Sequence, residues 1–163
     1  NMTSISIREI EQKDNAQVAK VIRKVLVDLG VPKVGTAYAD KALDSMFENY
    51  TAARSSYFVV VENDIILGCA GIAPLENYEG TDVCELQKMY FLEAARGQGI
   101  GAKMMKICLE KAAAYKFDKV YLETMPYMKA AQKLYVKSGF QYLDAPMGNT
   151  GHFSCPVWML KVL

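Results

Sequence analysis

The segment Arg96–Lys106, RGQGIGAKMMK, constrains the fold more than any other stretch of the chain. Glycines stand at 97, 99 and 101. CELQKMYFL before them reads as a strand, and AKMMKICLEKAAAYK after them reads as a helix from about Gly99 to Tyr115. KVYLETM (119–125) then reads as a second strand. A strand that crosses over through a helix to another strand makes a βαβ unit, so these two strands are expected to be parallel. A helix N-terminus offers unpaired N–H groups and a partial positive charge, and glycines let a ligand approach the backbone closely. The joint is therefore suited to a phosphate or pyrophosphate, with Arg96 and Lys103 adding charge. The plain alternative is a tight turn with no ligand.

Two other phosphate loops compete. A Walker A loop needs Lys-Ser/Thr after its last glycine, and Ala102-Lys103 fails that requirement. The dinucleotide fingerprint can be threaded through Gly97, Gly99 and Ala102. It normally follows the first strand of a large parallel sheet, whereas four strands and two helices precede it here.

The remaining elements read as follows. SISIREI (4–10) alternates as a half-buried strand. Val18, Val21, Ile22, Val25, Leu26 and Leu29 form a helical stripe ended by Gly30 and Pro32. Ala39, Ala42, Leu43, Met46, Phe47 and Tyr50 form a second stripe. Strands 57–62 and 65–75 meet at Asn63-Asp64, a hairpin signal. MKAAQKLYVKS (128–138) is a helix stopped by Gly139; FQYL and CPVWMLKVL are the last strands. The order β-α-α-β-β-β-α-β-α-β-β predicts an α/β fold with a mixed, mostly antiparallel sheet of about seven strands and four helices, one domain over residues 1–163.

Composition narrows the function classes. A net charge of +1 gives no bulk electrostatic case for nucleic acid or an anionic membrane. The cysteines, 69, 84, 108 and 155, form no C-x-x-C pair and read as buried thiols of a reducing compartment. No signal-peptide pattern is visible and no apolar run reaches ~18 residues, so a soluble, cytoplasmic protein is expected. Asn1 precedes Met2, the expected natural start. No His/Cys/Asp cluster has metal-ligand spacing, so no metal is expected.

CELQKMYFLEAARGQGIGAKMMKICLEKAAAY followed by VYLETMPYMKAAQKLYVKSGF resembles the GCN5-related N-acetyltransferase (GNAT) superfamily. That family's phosphate loop, Q/R-x-x-G-x-G/A, corresponds to Arg96-Gly97-Gln98-Gly99-Ile100-Gly101. Its later helix with Leu-Tyr, then Gly-Phe, corresponds to Leu134-Tyr135 and Gly139-Phe140. The resemblance implies acetyl-CoA as cofactor, its pyrophosphate held by the amides of Gly97 through Ala102. It also implies a pantetheine arm lying along Met89, Tyr90 and Phe91 like an added strand. One departure is Met128, where many members carry Asn.

Acetyl transfer to an amine needs a neutral amine, a polarised thioester and a stabilised thiolate. Tyr135 stands at the family's acid position and is the candidate donor to the thiolate; the bland alternative is a core aromatic. Glu85 lies in the strand before the loop, where some members carry a catalytic Glu. A carboxylate flanked by Cys84 and Leu86 is expected to be partly desolvated, which favours its neutral form and suits a general base. Regular alternation would put Glu85, Gln87 and Met89 on one face. An ion pair with Lys88 or a helix lysine is the structural alternative. Glu123 in the neighbouring strand is a second base or a site for a cationic acceptor. His152, the sole histidine, lies in a polar loop and is a further candidate for the substrate site or for the base, or is merely solvated. Tyr38, Tyr57 and Tyr78, with Glu76 and Glu79, are compatible with a pocket wall for a cationic, partly apolar amine and equally with ordinary surface and core. The leading expectation is an N-acetyltransferase acting on a small-molecule or peptide amine; the alternative is a non-catalytic coenzyme A-binding sensor or interaction module. The exposed edge of a C-terminal strand would permit a homodimer.

Overall fold

Among the described residues, alternating and striped hydrophobic positions become seven strands and four helices in the expected order. The computed structural model describes residues 4–150 and 156–163. The strands are β1 (Ile5–Glu9), β2 (Ser56–Glu62), β3 (Ile65–Pro74), β4 (Val83–Phe91), β5 (Lys119–Thr124), β6 (Gln141–Leu143) and β7 (Val157–Val162). The helices are α1 (Asn15–Asp28), α2 (Met46–Asn49), α3 (Ile100–Ala114) and α4 (Lys129–Lys137). The strands form one sheet in the order β1-β2-β3-β4-β5-β7-β6. The C-terminal β7 is therefore not an edge. β6 pairs antiparallel along its outer side, from Gln141↔Leu160 to Leu143↔Trp158, and takes the edge position. Among the described residues, no helix is long and apolar enough to cross a membrane.

The chain divides into two compact units. The first runs to Gly71 and includes Lys88–Ile100; the second comprises Ile72–Gln87 and the chain from Gly101.

In the first unit, β1 and β2 pair antiparallel from Ile5↔Glu62 to Glu9↔Phe58. Asn63 and Asp64 both take positive φ, 51° and 65°, as the two-residue hairpin turn into β3 requires. α1 buries Val18, Ala19, Val21, Ile22, Val25 and Leu26. The second predicted helix is realised differently. Its stripe is cut into 3-10 turns at Ala37–Ala39 and Lys41–Ser45, followed by the single turn α2. Thr36 and Asp40 cap those turns by accepting from the Tyr38 and Ala42 amides, which restarts the chain direction twice. Leu43 and Met46 are still buried, so the apolar pattern survives the change of helix type. Arg23 holds the segment to α1, donating to Asp44, to the Tyr38 carbonyl and to the Asp40 carbonyl.

In the second unit, α3 carries the chain from β4 to β5, and these strands are parallel, Val83↔Lys119 through Glu85↔Tyr121. β5 pairs on its other side with β7 along its whole length, antiparallel. Leu75, Val83 and Tyr121 form a buried cluster against which Tyr78, Leu143, Met147, Trp158 and Leu160 pack. Gly139, with φ 99°, ends α4, and the Phe140 amide donates back to the Tyr135 carbonyl.

One buried charge in the first unit makes the fold pH-sensitive. Asp14 accepts from both Arg8 Nη atoms, at 2.7 and 3.0 Å, and from the Glu11 amide. Burial opposes its ionisation, but the Arg8 and Glu11 hydrogen bonds and the Arg8 charge outweigh that and hold its pKa below the ordinary value. A depressed carboxyl pKa contributes stability that is complete at neutral pH and is lost as pH falls below ~4. Asp14→Asn should cost about 2 kcal/mol at pH 7, a Tm drop of roughly 4–8 °C, and the difference should shrink on acidification. Thermal melts from pH 7 to pH 3 check both points.

Candidate active site

The parallel pairing of β4 with β5 sets Glu85 beside Tyr121 in register. Glu85 is only 2% exposed. Its Oε1 accepts from Gln87 Nε2 at 2.8 Å, so Glu85 and Gln87 share a face as alternation requires. The alternation stops there, because Lys88 adopts φ 48°, and Met89 follows a left-handed residue instead of a regular strand position. The expected run of Glu85, Gln87 and Met89 along one regular face is thus interrupted at Lys88.

Glu123 is engaged by two hydroxyls. Tyr121 donates to Oε2 and Thr150 to Oε1, each at 2.6 Å. Tyr121, fully buried, in turn accepts from the Met147 amide at 3.2 Å. Burial first, then the hydrogen bond to Glu123, pushes the Tyr121 hydroxyl above its ordinary pKa, so it remains a donor through the physiological range. The same loop is tied further back: the Asn149 amide donates to the Glu76 carbonyl, and Asn77 Nδ2 donates to the Asn149 carbonyl. Glu123 thereby holds the loop before β7 to β5, which its sequence position in a strand did not announce. Tyr121 was findable as the same-face neighbour two residues before Glu123; Thr150, in a loop without periodicity, was not.

Tyr135 sits on α4 and is 7% exposed, edge-on to Phe140 with ring centroids 6.0 Å apart. Burial, with a smaller contribution from Cys108, raises its hydroxyl to about 12. Met128, in the position of the family Asn, receives a contact from Thr124 Oγ1 on its sulfur at 3.4 Å. His152 lies outside the described residues, as does Cys155. Cys69, Cys84 and Cys108 are buried free thiols, and burial pushes Cys69 and Cys108 up to about 12, which makes them unreactive. No group of acidic, histidine and cysteine side chains among the described residues could hold a metal ion.

The glycine segment opens α3 as expected. Gly97 and Gly99 have φ 76° and 71°, and a Cβ at either would meet nothing within 4 Å. The loop is open at the positions where a ligand must approach the backbone. Arg96 Nη2 donates to the Phe91 carbonyl and Gln98 Nε2 to the Ala94 carbonyl, bracing the loop against the preceding 3-10 turn at Glu93–Ala95. Ile100 is buried and anchors the first turn of α3. Of the two readings open for Tyr57, the structure has the core one: it is 1% exposed, and its hydroxyl donates to the Lys88 carbonyl at 2.7 Å. Tyr38 lies instead under Arg23 and Lys33, whose charged groups stand 5.8 and 5.5 Å from its ring centre.

These features define a class. The sequence model of the Acetyltransferase (GNAT) family matches residues 24–140, and the chain belongs to that family. A relative from Escherichia coli (strain K12), described as the uncharacterized N-acetyltransferase YjgM, is 40% identical over 158 residues, covering 96% of this chain and 94% of its own. A GNAT-family acetyltransferase from Staphylococcus aureus Mu50 has a similar fold. Its TM-score is 0.85 at 20% identity over 98% of this chain and 99% of its own. A GNAT-superfamily phosphinothricin acetyltransferase from Sinorhizobium meliloti, solved in complex with acetyl-CoA, gives 0.77 at 18% identity over 98% and 88%. Acetyl-CoA is the cofactor of the family.

The clasp on Glu123 has a measurable worth. Thr150→Val removes one hydroxyl donor from a carboxylate, and a hydrogen bond to a charged group contributes ~1.5–3 kcal/mol. Urea unfolding should show about that loss, with Thr150→Ser restoring most of it. Equal stability of all three proteins would show that the contact contributes nothing.

Proposed function

We propose that the protein is an acetyl-CoA-dependent N-acetyltransferase that acetylates a primary amine of a small molecule or peptide by direct transfer within a ternary complex. The observation that carries this reading is Glu85, a buried carboxylate held by Gln87 on the strand that leads to the glycine loop. When bound, acetyl-CoA would supply an activated thioester, with the coenzyme A thiolate as the leaving group.

Each residue then has a task. The amides of residues 97 to 102 at the start of α3 receive the pyrophosphate, and the open space over Gly97 and Gly99 suits that role. The backbone of Met89, Tyr90 and Phe91 takes the pantetheine arm in the manner of an added strand. Glu85 accepts the amine proton, directly or through water. Tyr135 donates a hydrogen bond to the sulfur as charge develops. With its pKa raised to about 12, far above a thiol's ordinary ~8.5, outright proton transfer is uphill. The hydroxyl works as a fixed donor. Glu123 and Tyr121 hold the described part of the loop that precedes β7, through Thr150 and Met147, and His152 is a further candidate for the acceptor side.

Glu85→Gln preserves shape and removes basicity. Its kcat/KM should fall by roughly 10²–10⁴-fold near neutral pH and partly recover at high pH, where the free amine is already neutral. Tyr135→Phe should lower kcat by ~10²-fold with little change in acetyl-CoA affinity. Rate–pH profiles measured with any amine that supports thiol release decide the matter. Superimposable profiles for wild type and Glu85→Gln would remove Glu85 as base.

A further inference from the structure

Lys88 is the only residue with positive φ inside a strand among the described residues. A side chain with a Cβ resists that left-handed conformation, and in a strand it also breaks the side-to-side alternation. Such a residue persists only where its surroundings hold it. Here the holder is visible. The Lys88 carbonyl accepts the Tyr57 hydroxyl at 2.7 Å, and Tyr57 is 1% exposed.

The ring that carries this hydroxyl is itself fixed on two sides. Tyr50 stacks on it with centroids 4.7 Å apart. On β3, Gly71 leaves room for it: a Cβ there would lie 2.4 Å from a Tyr57 ring carbon and 2.4 Å from the Ser56 carbonyl. A second glycine receives the strand just past the break. A Cβ at Gly68 would stand 2.4 Å from the Phe91 ring and 3.1 Å from the Tyr90 carbonyl. The Leu92 amide then donates to the Leu67 carbonyl at 2.8 Å. Burial raises the Tyr57 hydroxyl well above its ordinary pKa, so the donor is permanent.

We infer that Tyr57 is a positioning residue for cofactor binding: its buried hydroxyl fixes the left-handed Lys88 and thereby sets the direction in which the backbone of Met89, Tyr90 and Phe91 is presented. This rests on the reading of Met89–Phe91 as the strand that takes the pantetheine arm. Tyr57 touches no ligand itself. Its effect runs through one carbonyl, and the chain between that carbonyl and Phe91 is three residues long. The alternative is a core tyrosine whose hydroxyl only satisfies itself, in which case ligand affinity is indifferent to it.

The test is calorimetric titration with coenzyme A, at a temperature where circular dichroism shows every protein folded. Tyr57→Phe keeps the stacked ring and removes the hydroxyl. Coenzyme A should bind it about tenfold more weakly, the change that ~1.4 kcal/mol represents, and the KM for acetyl-CoA should rise in step. A second pair isolates the conformation from the hydroxyl. Lys88→Val, whose branched Cβ resists positive φ, should weaken binding more than Lys88→Gly, which adopts it freely. Tyr57→Phe affinity within twofold of wild type, or Lys88→Val binding as tightly as Lys88→Gly, would overturn the inference and leave the cofactor reading standing. Wild-type protein that fails to bind coenzyme A would overturn both.

Discussion

Three residues of parallel pairing, Val83–Glu85 against Lys119–Tyr121, organise the chemistry of the second unit. The α3 crossover makes those strands parallel, and the register then places a carboxylate beside a tyrosine in the buried part of a sheet. Glu85 can be there because Gln87 donates to it, and Tyr121 because it donates to Glu123 and accepts from Met147. Each polar group has a named partner, and no buried side-chain nitrogen or oxygen among the described residues lacks one. A buried polar set of this kind is costly when half satisfied and rigid when complete. That rigidity is what a general base needs, since its carboxylate must meet an amine at a fixed distance.

The first unit meets a different constraint. β4 must run as a strand and also interrupt itself at Lys88, three residues after Glu85, the last residue in register with β5. Glycines at 68 and 71 on β3 make room for the Phe91 and Tyr57 rings, and the Tyr57 hydroxyl secures the interruption. Small residues on one strand thus allow large ones on its neighbours to hold backbone in a conformation that sequence preference opposes.

Much of this was legible in the residues. The βαβ unit followed from the glycine joint between a strand and a helix, and all seven strands and four helices appeared in the expected order. The Asn63-Asp64 turn was fixed by residue types that tolerate positive φ. What failed to show has physical reasons. The stripe from Ala39 to Tyr50 has helical period, but capping by Thr36 and Asp40 breaks it into short turns, and periodicity does not see caps. A C-terminal strand does lie at the sheet edge, but that it is β6 and not the last strand could not be read, because chain order is visible and lateral order is not. Tyr57 could be read as pocket wall or as core, because a tyrosine is amphipathic. Only the fold shows that its polar end meets a backbone carbonyl instead of solvent. Thr150 carried no signal, since a loop hydroxyl acquires its role from whatever strand it is folded against.

The central claim is that this chain transfers acetyl groups to amines instead of merely holding a coenzyme. Initial rates of thiol release from acetyl-CoA, taken over a panel of small-molecule and peptide primary amines with both concentrations varied, test it most directly. The account predicts release that depends on one class of amine, an acetylated product in equal amount, and intersecting double-reciprocal lines, the pattern of direct transfer in a ternary complex. Coenzyme A binding with no amine-dependent release across the panel would contradict it and leave a binding module of the same fold.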